Sequence, residues 1–202
     1  MAERKANIAV LVSGGGTNLQ ALIDAQGSVI TSGEIKLVIS NNPNAFALER
    51  AKKAGIPSAV ITKKECGSQE AFETVIIEKL EEYDTDLIIL AGFMSILSER
   101  FTSRFEKHII NVHPSLIPSF CGEGFYGLRV HEAALAKGVK VTGATVHYVN
   151  EIPDGGEIIM QQAISVMEGD TPEVLQKRVM QEAEWKILPA SAEKVCNEII
   201  NK

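Results

Sequence analysis

The sequence predicts an α/β fold built on a mostly parallel sheet, and three observations carry that prediction. Short unbroken apolar runs, NIAVLVS at 7–13 and LIILA at 87–91, read as strands buried on both faces. Segments of helical periodicity lie between such runs, so strand and helix alternate along the first half of the chain. Gly, Asn and His follow the strand ends, on the edge where open sheets of this kind bind ligands.

Residues 7–13 form the first predicted strand, and 18–30 a helix with Leu19, Leu22 and Ile23 on its apolar side. A strand at 35–40 is followed by a helix at 45–54, which Gly55 and Pro57 end. Residues 58–62 make a third strand, and 68–83 a long amphipathic helix whose Phe72, Val75, Ile76 and Leu80 keep the period near 3.6. The fourth and fifth strands are 87–91 and 109–112. Residues 113–129, rich in Gly, Pro, Ser and aromatics, read as a long ordered loop, and such loops are usually functional. Two further strands at 139–149 and 157–166 are read as antiparallel across a turn at Pro153-Asp154-Gly155-Gly156. The last helix starts at Thr171 as N-cap, with Pro172 in its first turn, and Pro189 is expected to kink or break it. No repeat, low-complexity segment or linker interrupts the chain. One domain over residues 1–202 is expected, with a twisted sheet, helices on both faces, a C-terminal antiparallel strand addition and a terminal helix.

Composition narrows the function. With 20 Lys+Arg against 26 Asp+Glu the net charge is −6, which disfavours a nucleic-acid clamp, since backbone binding needs clustered cations. A small phosphorylated ligand needs only a local positive field, on which net charge is silent. Cys66, Cys121 and Cys196 are odd in number and widely spaced, so neither a disulfide framework nor a metal set is expected. The apolar runs 8–12 and 87–97 are too short for a signal-peptide core or a membrane span. A cytoplasmic protein is the expectation.

Three places can carry chemistry. Ser13-Gly14-Gly15-Gly16-Thr17-Asn18 lies between the first strand and first helix, where backbone N–H groups can meet an anion. It lacks the G-x-G-x-x-G pattern and the Walker lysine, so a dinucleotide or nucleoside triphosphate is not implied, and a tight strand–helix turn remains open. Asn111 and His113 sit two apart at a strand end, with side chains on one side. An amide donor beside an imidazole can stabilise an oxyanion and move a proton, although a histidine satisfied within its loop is an equal reading. Asp154 alone reads first as a turn residue. His108, His131 and His147 have no metal-site spacing, His147 falls inside a strand, and Ser115 lacks a nucleophile elbow.

Taken together, VLVSGGGTNLQAL (10–22), ISNNPNAFALERAKKAGIP (39–57), ILAGFMSIL (89–97), INVHPSLIPSF (110–120) and GATVHYVNEIPDGGEIIMQ (143–161) resemble the folate-dependent phosphoribosylglycinamide formyltransferases over nearly the whole chain. The resemblance implies a Rossmann-like formyltransferase fold. It also implies formyl transfer from 10-formyltetrahydrofolate, as co-substrate, to the amine of glycinamide ribonucleotide in purine biosynthesis, without a metal. Asn111, His113 and Asp154 match the family's catalytic trio, with Asp154 expected to favour the imidazolium of His113. The substrate phosphate would lie on Gly15, Gly16, Thr17 and Asn18, and Gln181, Glu182, Ala183 and Glu184 match the segment whose acidic residue holds ribose hydroxyls. The folate would lie against Met94, Ser95, Ile96, Leu97, Asn111 and Val149, with Asn150, Glu151, Ile152, Pro153 and Asp154 reading its edge.

Ser95 and Gln69 stand where some members carry Arg, which would weaken contacts to the folate glutamate tail unless Lys63 or Lys64 compensates. Residues 121–127 are longer than the loop of other members, and their glycines point to a mobile lid over the folate. Two small-molecule substrates, no nucleic acid or membrane, and a monomer or homodimer are implied. A formyltetrahydrofolate deformylase is the rival within this chemistry, although its members normally carry an extra N-terminal regulatory domain and this chain starts at its first strand. A methionyl-tRNA formyltransferase would need a tRNA-binding C-terminal domain for which 202 residues leave no room. A non-catalytic folate- or nucleotide-binding module is the rival outside this chemistry, and it has no need of the trio.

Overall fold

The computed structural model describes residues 4–202. Its sheet has seven strands in the order β3-β2-β1-β4-β5-β6-β7. These are β1 (Ala6–Val12), β2 (Gly33–Ser40), β3 (Ser58–Val60), β4 (Leu87–Leu90), β5 (Ile109–His113), β6 (Val141–Tyr148) and β7 (Ile158–Ser165). The first five run parallel, while β6 and β7 are each antiparallel to the strand before them. The antiparallel pair is the arrangement the turn at 153–156 predicts.

Apolar residues fill both faces of β1 because alternate side chains leave the sheet in opposite directions. Ile8, Val10 and Val12 pack with α1 (Thr17–Ala25), α2 (Phe46–Lys53), α7 (Pro172–Val179) and α8 (Trp185–Ile200). Ala9 and Leu11 pack on the other face with Phe72, Ile76 and Leu80 of α4 (Gln69–Glu82) and Phe101 of α5 (Glu99–Arg104). Ser68, Ser98 and Thr171 cap α4, α5 and α7 by accepting a backbone N–H through the side-chain oxygen.

Several sequence expectations need correction. The first helix ends at Ala25, not residue 30, because the chain turns back through Gly27 at φ 76°. A short helix α3 (Lys63–Cys66) precedes α4. The long loop after His113 stops at Gly127, and residues 128–137 form α6 (Leu128–Lys137), which buries Val130, His131 and Ala134 and ends at Gly138. Pro189 neither ends nor breaks the terminal helix but lies buried within α8. Four residues upstream, where a proline ring would meet the carbonyl, Trp185 has ψ −8° and so tilts that carbonyl aside. A π-helical turn, Met180–Glu184, precedes it and separates α7 from α8. Such widened turns frequently occur at functional sites.

Candidate active site

β1 is flanked by β2 on one side and β4 on the other, so the loops leaving β1 and β4 diverge at the carboxyl edge of the sheet. The Met94 N–H donates to Ser13 Oγ at 2.8 Å and ties these two loops together. Above them lies a cavity of about 1020 Å³, lined by residues 13–18, 91–96, 111–114 and 122–127 together with His131, Asp154 and Glu184. A smaller pocket of about 150 Å³ adjoins it, lined by Leu90, Phe93, residues 95–97, Asn111, His147 and residues 149–154. Both are on the edge that the fold class predicts.

The glycine loop is shaped by close packing. Gly16 has φ 70°, and a Cβ there would lie 2.6 Å from Ala47 Cβ, so only glycine fits. The Ala47 N–H donates to the Gly14 carbonyl and Arg50 Nε donates to that of Gly15, which turns the loop carbonyls away from the cavity. No side chain caps α1, so its first-turn N–H groups stay free for an anion.

Asn111 and His113 stand at the end of β5, where register sets Asn111 beside His147 and His113 beside Thr145 on β6. His113 Nε2 lies 2.8 Å from the Phe120 carbonyl. A carbonyl only accepts, so Nε2 carries the proton and a neutral ring leaves the Nδ1 lone pair facing Asp154 Oδ2 at 3.3 Å. His147 Nδ1 likewise donates to the Tyr148 carbonyl at 2.7 Å, which leaves Nε2 3.2 Å from Asn111 Nδ2 and 3.5 Å from Asp154 Oδ1. Asp154 thus sits between two imidazole nitrogens, and Oδ2 also accepts the Gly122 N–H at 2.8 Å.

Burial pushes the His113 imidazole below its ordinary value, outweighing the Asp154 charge and the Phe120 carbonyl that raise it. Asp154 thus favours the imidazolium, as expected, but burial outweighs it. Burial alone would raise the Asp154 carboxyl, but the His147 contact, His113 when it is protonated and the Gly122 N–H together hold it below the usual range. The Asp154 backbone has φ 56°, and a Cβ on Gly156 would lie 1.8 Å from the Tyr148 carbonyl, so the Asp-Gly-Gly turn is sterically specified. Gln161 Nε2 braces the segment before Phe120 by donating to the Ile117 carbonyl and to Thr145 Oγ1.

The expected site residues divide between the two cavities. Gly15, Gly16, Thr17 and Asn18 line the larger one. Of Gln181, Glu182, Ala183 and Glu184, only Glu184 lines it: Gln181 and Glu182 are exposed and Ala183 is buried in the core. Gln176 and Met180, eight and four residues before Glu184, complete that wall. Glu184 is buried, its carboxyl pushed up to about 7 by desolvation against one hydrogen bond from Asn18 Nδ2 at 2.7 Å.

Leu97, Val149 and residues 150–153 line the smaller pocket, whereas Met94 lines only the larger; Ser95, Ile96, Asn111, Pro153 and Asp154 border both. Ser95 Oγ accepts from Asn41 Nδ2, and Gln69 donates to Glu73 and to the Ile96 carbonyl. Residues 122–127 line the larger cavity and not the smaller pocket. His147, Phe120, Gly122, His131 and Gln161 were not singled out as site residues. His147 and Gln161 stand on strands of predictable register and His131 on a helix, whereas Phe120 and Gly122 depend on loop conformation.

Comparison with known proteins agrees with this geometry. Residues 6–191 match the Formyl transferase family. Phosphoribosylglycinamide formyltransferase of Escherichia coli is 40% identical over 183 residues, covering 91% of this chain and 84% of that protein. The trifunctional purine biosynthetic protein adenosine-3 of Bos taurus is 47% identical over 96% of this chain, which spans 19% of its length. Glycinamide ribonucleotide transformylase 1 from Symbiobacterium toebii superimposes with a TM-score of 0.89 at 39% identity, covering 96% of this chain and 89% of that one. The chain belongs to the formyl transferase family, among relatives that are phosphoribosylglycinamide formyltransferases.

Proposed function

We propose that this protein transfers the formyl group of 10-formyltetrahydrofolate to the amine of glycinamide ribonucleotide, as a cytoplasmic enzyme of purine biosynthesis. The observation that carries this is the meeting of Asn111 and Asp154, which border both cavities, with His113, which lies 3.3 Å from Asp154 in the wall of the larger one. One cavity offers a glycine loop with free helix N–H groups and the buried Glu184, suited to a phosphate and a sugar hydroxyl. The other offers Leu90, Phe93, Leu97 and Val149 beside the backbone of residues 150–153, suited to a flat heterocycle with a polar edge.

In this reading the amine attacks the formyl carbon and the carbonyl oxygen becomes an oxyanion. Asn111 Nδ2 carries two N–H groups, one directed to His147 and the second free to meet that oxygen. His113 Nδ1 faces Asp154 Oδ2 at 3.3 Å, and this pair takes the proton from the attacking nitrogen. The resulting imidazolium, steadied by Asp154 and by the Phe120 carbonyl, supports the oxyanion. Return of the proton to the folate N10 lets the C–N bond break, and the formyl group stays on the acceptor. Donors to a developing oxyanion are each worth about 10²–10³ in kcat.

The test is formyl transfer followed by folate absorbance, with and without glycinamide ribonucleotide. Turnover should require the ribonucleotide, and His113→Ala should lower it at least ~10²-fold. Equal consumption of folate without the acceptor would identify a deformylase instead.

A further inference from the structure

His131 is the fourth residue of α6 and lies in the wall of the larger cavity with His113, Pro114, residues 122–127 and Glu184. It is completely buried, yet neither ring nitrogen has a hydrogen-bond partner among the described residues. The other three histidines each place a ring nitrogen on a backbone carbonyl: His108 on Asp86, His113 on Phe120 and His147 on Tyr148. A neutral imidazole has one donor and one acceptor, and leaving both orphaned in the interior is the exception that calls for a missing partner.

We propose that His131 binds the glycyl arm of the amine acceptor, taking a hydrogen bond from an arm N–H at the wall of the larger cavity. This rests on the reading of that cavity as the ribonucleotide site. The glycine loop and Glu184 then account for phosphate and ribose, and Asn111, His113 and Asp154 for the reacting carbonyl and amine. The arm spans the distance between these groups, where His131 offers unfilled hydrogen-bonding capacity. Burial and the neighbouring His113 hold the ring neutral, with a pKa of about 4, so it can accept from an N–H without repelling a cationic amine. The loop that shares this cavity wall carries Gly122, Gly124 and Gly127, all at positive φ and with open space where a Cβ would be, so a shift that admits the arm meets no steric bar from them.

The test compares wild type with His131→Phe, which keeps a planar ring and deletes both nitrogens. The phenylalanine variant should melt no lower than wild type, since it removes orphaned polar atoms from the interior. Its KM for glycinamide ribonucleotide should rise about tenfold, equivalent to ~1.4 kcal/mol, while its KM for 10-formyltetrahydrofolate stays within twofold. An acceptor KM within twofold of wild type overturns the proposal. So does a lowered melting temperature accompanied by equal changes in both KM values, which marks a packing role. Should that variant not fold, the same split is read from His131→Asn, whose shorter side chain withdraws the polar atoms. Wild-type turnover that ignores the acceptor would instead sink the functional reading, and with it the assignment of the cavity.

Discussion

Replacing Glu184 by Gln should make the protein more stable in neutral solution while weakening its hold on the acceptor. The carboxyl is buried at the end of the π-helical turn, with Asn18 Nδ2 its one hydrogen-bond partner among the described residues. Burial raises its pKa from an ordinary 4.5 to about 7. Below pH 4.5 the group is protonated in both folded and unfolded chains and adds no penalty. Between pH 4.5 and 7 the unfolded chain ionises first, so stability falls as pH rises, and above 7 the loss is complete. Holding the carboxyl at about 7 instead of 4.5 is worth ~3 kcal/mol, which for a chain of this size moves Tm by roughly 6–12 °C. Glutamine has nearly the same shape, still accepts from Asn18 and never ionises. Melting curves of both proteins from pH 4 to 8.5 should coincide at the acid end and separate in favour of the variant above pH 7. A pH-independent difference, or a variant less stable at pH 8, would refute burial as the origin of the shift. The carboxylate kept at that cost is the one read above as a ribose contact, so acceptor KM should rise in the same variant.

Gly16→Ala places a side chain on a residue at φ 70° and against Ala47 Cβ and Cα, 2.6 and 2.8 Å away. It should cost about 1–3 kcal/mol by chemical denaturation and raise the acceptor KM; unchanged stability would mean the loop relaxes freely. Asp154→Asn removes the charge that partly offsets burial of His113, so the imidazole pKa falls further and kcat should drop by about 10²–10⁴. The Asp154 carboxyl is depressed in the folded chain, so its stabilisation is present above the unfolded pKa and lost as pH falls through the folded one. The asparagine variant should therefore melt lower than wild type at pH 7 and converge with it in acid; a kcat within tenfold of wild type would remove Asp154 from the proton path.

The layered α/β architecture was legible because its signals are local. The apolar run of β1 supplies side chains to both faces at once, which only a sheet covered on two sides tolerates. The Asn111–His113 pair was legible for the same reason, since a period of two puts both on one side of β5. Gly16 and Gly156 could be recognised as glycines in turns, but the atoms that forbid a Cβ there, in Ala47 and Tyr148, come from other segments.

What the chain order alone determined, then, was the alternation of elements and the edge of the sheet on which ligands bind, because periodicity and strand ends are written in consecutive residues. Tertiary structure alone decided the protonation chemistry. The His113 pKa is pushed down by burial, its tautomer is set by the Phe120 carbonyl, and Asp154 is shared between two imidazoles from different strands. Glu184 is lifted toward pH 7, and His131 is left without hydrogen-bond partners among the described residues, by segments far apart in sequence. Desolvation and hydrogen-bond geometry depend on what surrounds a group in space, and no run of neighbouring residues encodes that.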